Sequence, residues 1–213
     1  MTTKRARLTT LLILAVALLA TSGCLFSPPE KNDDNTPPTV EFGSYATPDG
    51  LVDNFVTAWE YMVISEYRDN ILYPGTEYNS FVFYLLPDAM DPNGEELPDS
   101  WGYDEEVAHI SGLFSGNPSA DGSTPGVESV SLELTPFGTW NAPSDPYQVE
   151  GDAYPDGTMA RRYRTDMTIT LEGENQGGYN GFLINDVIEL YVIPVSTDGS
   201  TEYRLWKWRD INN

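Results

Sequence analysis

The 213-residue chain is strongly acidic: 33 Asp and Glu residues stand against 11 Lys and Arg, giving a formal net charge of −22 at pH 7. Such a surface repels phosphate backbones, so nucleic acid is excluded as an expected partner. The aromatic content of 12% is unlike that of a disordered chain and is enough for a sizeable hydrophobic core.

The first 24 residues have the three zones of a secretory signal. The chain opens with basic residues between positions 4 and 7, continues with the apolar run LLILAVALLA at 11–20, and reaches Cys24 through Thr-Ser-Gly. A basic start, a short apolar run and small residues before a cleavage point are typical of exported proteins. We therefore predict that residues 1–23 are a cleaved signal peptide.

The end of this signal resembles that of bacterial lipoproteins, in which small residues before a cysteine mark the cleavage point. Thr21 stands where that family usually has Leu. The resemblance implies that Cys24 is acylated, as by palmitate, and becomes the mature N-terminus. It also implies a lipid-anchored, extracytoplasmic protein of the bacterial cell envelope. The outer membrane is favoured over the inner, because Leu25 replaces the Asp that retains some lipoproteins at the inner membrane.

An uncleaved membrane anchor is the alternative. Residues 8–26 carry no charge, and 19 such residues are about enough to span a bilayer. The strongly apolar part is shorter, however, and Cys24 is the only cysteine in the chain. Lipidation is therefore the preferred interpretation, and it leaves the folded part without a cysteine for a disulfide.

Residues 24–47 are polar and rich in proline, as in SPPEKNDDNTPP, and have no hydrophobic period. We predict a disordered tether there, followed by a single domain at 48–213. Removal of the signal leaves 8 basic and 33 acidic residues, a net charge of −25. Anionic lipid head groups repel such a domain, so we expect it to stand off the membrane.

Helices are predicted mainly in the first half of the domain. Residues 51–65 have the clearest helical period, with large apolar side chains on one face and polar ones on the other. A short second helix at 65–72 precedes a buried strand at 80–86 and a loop at 87–100. A third helix is predicted at 103–114.

The second half is predicted to be β-structure. Apolar and polar residues alternate at 129–134 and at 162–171, and two further strands are expected at 182–195 and 202–211. Turn residues separate the last three strands, which favours an antiparallel meander.

This order of elements resembles the nuclear transport factor 2-like (NTF2-like, also ketosteroid-isomerase-like or cystatin-like) α+β cone. The resemblance covers about residues 45–212 and is carried by LVDNFVTAWEYMVISEYRDNIL, SWGYDEEVAHISGLFSG and TEYRLWKWRDI. It implies a strongly bent antiparallel sheet wrapped around the long first helix. Physical reasoning leads to a similar arrangement, because an amphipathic helix needs an apolar sheet face to cover it. A β-sandwich with peripheral helices is the alternative.

The resemblance also implies a pocket at the open end of the cone, where enzymatic members place an Asp base or a His–Asp pair, with Tyr as acid. In the stretch that matches the base of several members, only Glu77 could serve. The single histidine, His109, lies in the third predicted helix and is interpreted as structural. A general base must also have a tuned pKa in a dry pocket.

Asp186 is the carboxylate whose position is most unusual. It shares one face of a predicted strand with Ile184, Ile188, Leu190 and Val192. If that face lines the cone, the carboxylate needs a partner or a raised pKa, since burial disfavours its charge. Asp186 is therefore a candidate pocket residue; its candidate neighbours are Tyr67, Trp101 and Tyr163.

No cofactor is predicted, and no metal site. The loops at 91–94 and 152–157 look calcium-like but lack the closing Glu of an EF-hand. The preferred function is a non-catalytic binding domain for a small apolar ligand or an envelope protein. The alternatives are an isomerase- or dehydratase-like enzyme with a pocket carboxylate, and a structural envelope protein. Homodimerisation through the outer face of the sheet is also left open.

Overall fold

The first long helix, α1 (Pro48–Glu60), begins and ends where local chemistry dictates. The side chain of Thr47 accepts a hydrogen bond from the Gly50 amide at 3.1 Å, and a proline follows this cap. The helix ends before Met62, which has a φ of 53°.

The protein is described by a computed structural model that covers residues 39–86, 97–143, 154–197 and 199–211. The predicted signal peptide, Cys24 and the calcium-like loop at 91–94 lie outside these ranges. Of the calcium-like loop at 152–157, only residues 154–157 lie inside them.

Two shorter helical segments flank the first strands. The α-helical turn α2 (Ile64–Glu66) runs directly into a π-helix at Tyr67–Ile71, close to the predicted 65–72. The helix α3 (Tyr103–Phe114) has the predicted bounds, and the Gly102 amide donates to the Glu105 carboxylate at 2.9 Å at its start.

Six strands form one sheet in the order β2-β1-β6-β5-β4-β3. Their bounds are β1 Val82–Tyr84, β2 Ser100–Gly102, β3 Val127–Asn141, β4 Met159–Leu171, β5 Gly181–Thr197 and β6 Ser200–Ile211. The strands from β3 to β6 are an antiparallel meander, as predicted, and β1 runs parallel to β6. The strands of the described ranges therefore belong to one bent sheet in a mixed α+β fold, rather than to the two sheets of a sandwich. The short strand β2 was not predicted, because it lies at the end of a segment rich in Asp, Pro and Gly.

A β-bulge in β6 divides the aromatic residues of that strand between two clusters. The register shifts between Tyr191 and Val192 of β5, so that Trp206 is the extra residue opposite them. As a result Leu205 and Trp208 belong to the main core, which includes α1, whereas Trp206 joins a smaller cluster with Tyr73 and Tyr191.

The folded unit begins at Val40, earlier than the predicted boundary at 48. The amide of Gly43 donates to the Asn54 side chain at 2.7 Å, and the Tyr203 amide donates to the Tyr45 carbonyl at 2.8 Å. Phe42 and Tyr45 are partly buried against the main core. These contacts join Phe42 and Tyr45 to the folded unit, although two isolated aromatic residues give no periodic signal in the sequence.

Within the described ranges, we find no helix with both the length and the apolar character needed to cross a membrane.

Candidate functional site

A cavity of about 250 Å³ lies between helices α1 and α3 and one face of strands β4, β5 and β6. Its aromatic wall consists of Trp59, Phe83, Trp101 and Trp208. Its aliphatic wall consists of Ile110, Leu113, Met167, Ile169, Ile184 and Ile188. The remaining lining residues are polar: Glu106, Thr165, Asp186 and Asp210. A mostly apolar wall with a few polar groups is typical of small-molecule sites.

Two of the carboxyl groups come from neighbouring strands. Ile188 of β5 pairs with Asp210 of β6, which places Asp186 diagonally across from Asp210 on one sheet face. Burial raises the pKa of Asp210 to about 7, and the negative charges of Asp186 and Glu106 contribute to the shift. The Trp208 indole acts in the opposite direction. Asp210 therefore changes charge near neutral pH.

The third carboxyl, Glu106, is held from the core side. The Tyr67 hydroxyl donates to its Oε1 at 2.6 Å, and the Trp101 indole donates to its Oε2 at 2.6 Å. Burial raises the pKa of Glu106, while these two hydrogen bonds and the nearby His109 partly offset that effect. Trp101 is positioned in turn by stacking on Phe83, with ring centroids 4.6 Å apart.

Three buried polar atoms of the cavity wall lack a hydrogen-bond partner among the described residues. They are Thr165 Oγ1, Trp59 Nε1 and Trp208 Nε1. Trp208 is close enough to Asp210 to favour its charged form, although its N–H makes no hydrogen bond of standard geometry. Thr165 is only 2% exposed, so bulk water does not readily satisfy its hydroxyl. Unpaired buried groups in a protein interior call for an explanation, and a ligand in the cavity is one.

The structure brings two of the four predicted pocket residues to the cavity and leaves two away from it. Asp186 and Trp101 line it, and Ile184 and Ile188 lie beside Asp186, as the strand pattern predicted. Tyr67 is fully buried behind Glu106 and reaches the site only through its hydrogen bond.

Tyr163 lies further along β4 and does not line the cavity. Its hydroxyl accepts a hydrogen bond from Arg161 Nε at 2.7 Å, and Arg161 Nη2 also lies 2.5 Å from Asp49 at the start of α1. Burial raises the pKa of Tyr163 to about 12, against the lowering effect of Arg161. Tyr163 shares the core face of β4 with Thr165 and Met167, but its hydroxyl is engaged with Arg161 and its side chain is not part of the cavity lining.

Neither of the other two titratable candidates lies in the cavity. Glu77 is exposed in the loop before β1, where its amide donates to the Tyr73 hydroxyl at 2.8 Å. It is therefore not placed to act as a base in this site. His109 is exposed on α3 and meets the Trp101 ring edge-on at 5.0 Å, which fits a structural role.

Sequence reasoning missed Glu106 and Asp210, although a signal for each existed. Glu106 precedes Ile110 and Phe114 at helical intervals of four, so it lies on the buried stripe of α3. Asp210 follows Trp208 at the strand interval of two, on the same face of β6. In both cases the spacing places an acidic residue on the apolar face, although Asp and Glu are mostly surface residues.

The three carboxyl groups surround the cavity rather than meeting at one point. Across the ranges that the structure describes, no group of three or more His, Cys, Asp or Glu side chains is close enough to hold a metal ion. What this arrangement can do is enclose an apolar molecule, present carboxylates to it and exchange a proton at Asp210 near pH 7.

Comparison with known proteins gives similarity at the level of solved structures only; no protein-family model and no curated protein matches the chain. The Kfla4162 protein from Kribbella flavida is 10% identical, with 75% of this chain and 84% of that one covered and a TM-score of 0.46. A nuclear transport factor 2 (NTF2-like) superfamily protein from Salmonella enterica is 10% identical over 76% and 85%, with a TM-score of 0.40. A protein with a cystatin-like fold from Caulobacter vibrioides is 13% identical over 77% and 87%, with a TM-score of 0.34. Two of the three descriptions name the fold that the sequence resembles, but at these identities no activity is transferred to this chain.

Proposed function

We propose that this protein is a lipid-anchored, extracytoplasmic binding protein, in which an α+β cone holds a small, mostly apolar ligand without chemistry. The observation that carries the binding proposal is the cavity of about 250 Å³ walled by four aromatic and six aliphatic side chains. A dry cavity of about 150 Å³ accommodates benzene, so this one has room for a ring with a short substituent. Envelope location and ligand binding are separate parts of the proposal and have separate tests.

Ligand binding is tested by filling the cavity. Leu113 is half-buried at its wall, so Leu113→Trp occupies space there with little disturbance of the core. The matched control is Leu183→Trp, because Leu183 is 73% exposed and does not line the cavity. Titration with a hydrophobic fluorescent dye should give at least about tenfold weaker binding for Leu113→Trp and no change for Leu183→Trp. Equal loss in both variants, or no dye binding by the native protein, would contradict the proposal.

The anchor is tested at Cys24, since its thiol is the proposed site of acylation. Each buried CH₂ of an acyl chain contributes about 0.8 kcal/mol, and two or more chains hold a protein stably on a membrane. Cys24→Ala should therefore abolish lipid labelling and release the protein from membrane fractions. A variant that stays fully with the membranes would favour an uncleaved helix at 8–26.

A second candidate function is acid–base catalysis of the isomerase or dehydratase type. It is favoured by one observation, the pKa of about 7 for Asp210 beside an apolar cavity, because a base works best when its pKa is near the ambient pH. Asp186, the candidate pocket carboxylate from the sequence, would then act as its charged neighbour. A bound ligand that exchanges a C–H proton for solvent deuterium with the native protein, but not with Asp210→Asn, would favour this function over plain binding.

A further inference from the structure

The charge around the cavity is of one sign. Three carboxyl groups, of Glu106, Asp186 and Asp210, belong to its lining, and no Lys, Arg or His side chain of the described ranges does. The internal segments outside those ranges, 87–96 and 144–153, contain no basic residue in their sequence. His109 of α3 lies close enough to Glu106 to lower its pKa but does not line the cavity, so the lining formed by the described residues contains no basic side chain.

The arginines of the described part are committed elsewhere. Each of them lies within 3.5 Å of a carboxylate, as in the contact of 2.9 Å between Arg209 and Glu189. None of the carboxylates in these pairs lines the cavity. The carboxyl groups that line the cavity are thus not among the carboxylates that pair with these arginines.

In a second aromatic cluster, the rings contact a lysine side chain of this chain. The Lys207 ammonium is 4.0 Å from the centroid of the Trp206 ring, 5.6 Å from that of Tyr154 and 5.9 Å from that of Tyr84. Lys207 is 6% exposed, so these rings help to hold a charge that is almost out of water. We call these four residues the lysine cluster.

The cavity has the same kind of aromatic wall, but none of the described residues that line it carries a positive charge. We call Trp59, Phe83, Trp101 and Trp208 the cavity cluster; their faces and edges surround space that carboxyl groups also face. The Thr165 hydroxyl, buried and without a partner in the described part, adds an acceptor for an N–H donor. Aromatic faces, carboxylates and a free acceptor together match an ammonium group on an apolar body.

We infer that the ligand of this cavity is a small organic cation, an amine whose protonated nitrogen lies near Asp186 and Asp210 and whose hydrocarbon part contacts the cavity cluster. This inference rests on the proposed binding function and specifies its ligand class. A positive charge in the cavity would relieve the repulsion among the three carboxyl groups. The titratable groups whose charge acts on Asp210 are Asp186 on β5 and Glu106 on α3, and His109 on α3 acts in turn on Glu106.

The test compares two probes of equal size, benzylamine and benzyl alcohol, by calorimetric titration of the full-length protein. We expect benzylamine to bind at least about tenfold more tightly than benzyl alcohol at pH 8, where Asp210 is ionised. The preference should shrink at pH 5.5, because Asp210 is then protonated while the amine keeps its charge. It should survive about 0.5 M salt, since buried charges are screened much less than surface ones.

Two variants locate the preference. Asp210→Asn should reduce the amine preference at pH 8 to about threefold or less, and Asp186→Asn should lower it as well. Glu77→Gln removes an exposed carboxylate outside the cavity and should leave the preference unchanged. A preference that persists in both Asp variants, or that vanishes in high salt, would assign it to the acidic surface and overturn the inference.

The remaining outcomes distinguish a failure of the cation inference from a failure of the proposed binding function. Equal binding of benzylamine and benzyl alcohol would overturn the cation and leave the apolar binding site standing. Binding of neither probe, together with no dye binding, would overturn both. Benzyl alcohol binding more tightly at pH 5.5 than at pH 8 would indicate a neutral ligand held by the protonated Asp210.

Discussion

The cavity cluster and the lysine cluster both consist largely of aromatic residues, but they differ in whether a cation and hydrogen-bond partners accompany the rings. Lys207 is surrounded by aromatic rings, and the Trp206 indole donates to the Asn79 carbonyl at 2.8 Å. In the cavity cluster, by contrast, the indoles of Trp59 and Trp208 make no hydrogen bond of standard geometry with the described residues, although Trp59 lies near the Tyr67 hydroxyl and Trp208 near Asp210. The bulge in β6 separates the two by sending Trp206 and Trp208 to different clusters. The difference teaches that an aromatic cluster is a candidate binding site when the protein's own residues do not pair its charged groups and hydrogen-bond donors.

The largest expected effect is at the lysine cluster, where the role is structural. Trp206→Ala should lower the free energy of unfolding by about 3–5 kcal/mol, because Trp206 is 1% exposed and its removal leaves a cavity. Urea denaturation measures this loss. The control is Phe137→Ala, at a side chain 52% exposed, which should cost less than about 1 kcal/mol. Similar losses in the two variants would mean that the lysine cluster is not a packed structural element.

The next effect is at the cavity and has the opposite sign. Asp210→Asn should stabilise the protein by about 1–3 kcal/mol at pH 8, because it removes a carboxylate that is costly to ionise in the folded state. The folded pKa of about 7 exceeds the unfolded value of 3.8, so the folded state binds more protons between these values. Stability of the native protein should fall with rising pH across that window and level off above it.

The gain from Asp210→Asn should therefore be near zero at about pH 4, grow up to about pH 7 and remain constant beyond. Thermal unfolding at a series of pH values checks this profile. Glu77→Gln is the matched control, since its carboxylate is exposed. A gain independent of pH would show that Asp210 is not the group whose ionisation is penalised.

The smallest effect is expected where a cavity carboxyl is held from the core. Tyr67→Phe removes the 2.6 Å hydrogen bond to Glu106 and should cost about 1–2 kcal/mol in the free energy of unfolding at pH 8. The loss should also raise the pKa of Glu106 further, because that hydrogen bond favours its charged form. The cost should therefore be smaller in acid, where Glu106 is protonated.

Tyr103→Phe provides the comparison for Tyr67→Phe. The Tyr103 hydroxyl donates to the Arg68 carbonyl at 3.0 Å at an exposed position, so its loss should cost less than about 0.5 kcal/mol at any pH. Equal costs for the two substitutions would mean that the Tyr67–Glu106 contact adds nothing to the cavity wall.

Hydrophobic period located most single elements, although it extended the first helix to residue 65, whereas α1 ends at Glu60 because Met62 has a positive φ. It placed α3 at its observed bounds, identified the antiparallel meander, and put Ile184, Asp186 and Ile188 on one inward face. These are properties of a single helix or strand, because side-chain direction repeats every 3.6 or 2 residues along it. The charge excess is likewise a property of composition, and so is the export signal predicted around Cys24.

What the sequence could not decide is how far along a face each residue lies and which residues face it from other elements. Tyr163 and Met167 share the core side of β4, yet only Met167 lines the cavity. Asp186 and Asp210 are neighbours only through the pairing of β5 with β6, and Glu106 joins them from a helix. Register and packing between elements far apart in the chain bring these carboxyl groups together. No local pattern records that distance, and for that reason the tertiary structure alone revealed a cavity that the described residues line with three carboxyl groups and no basic side chain.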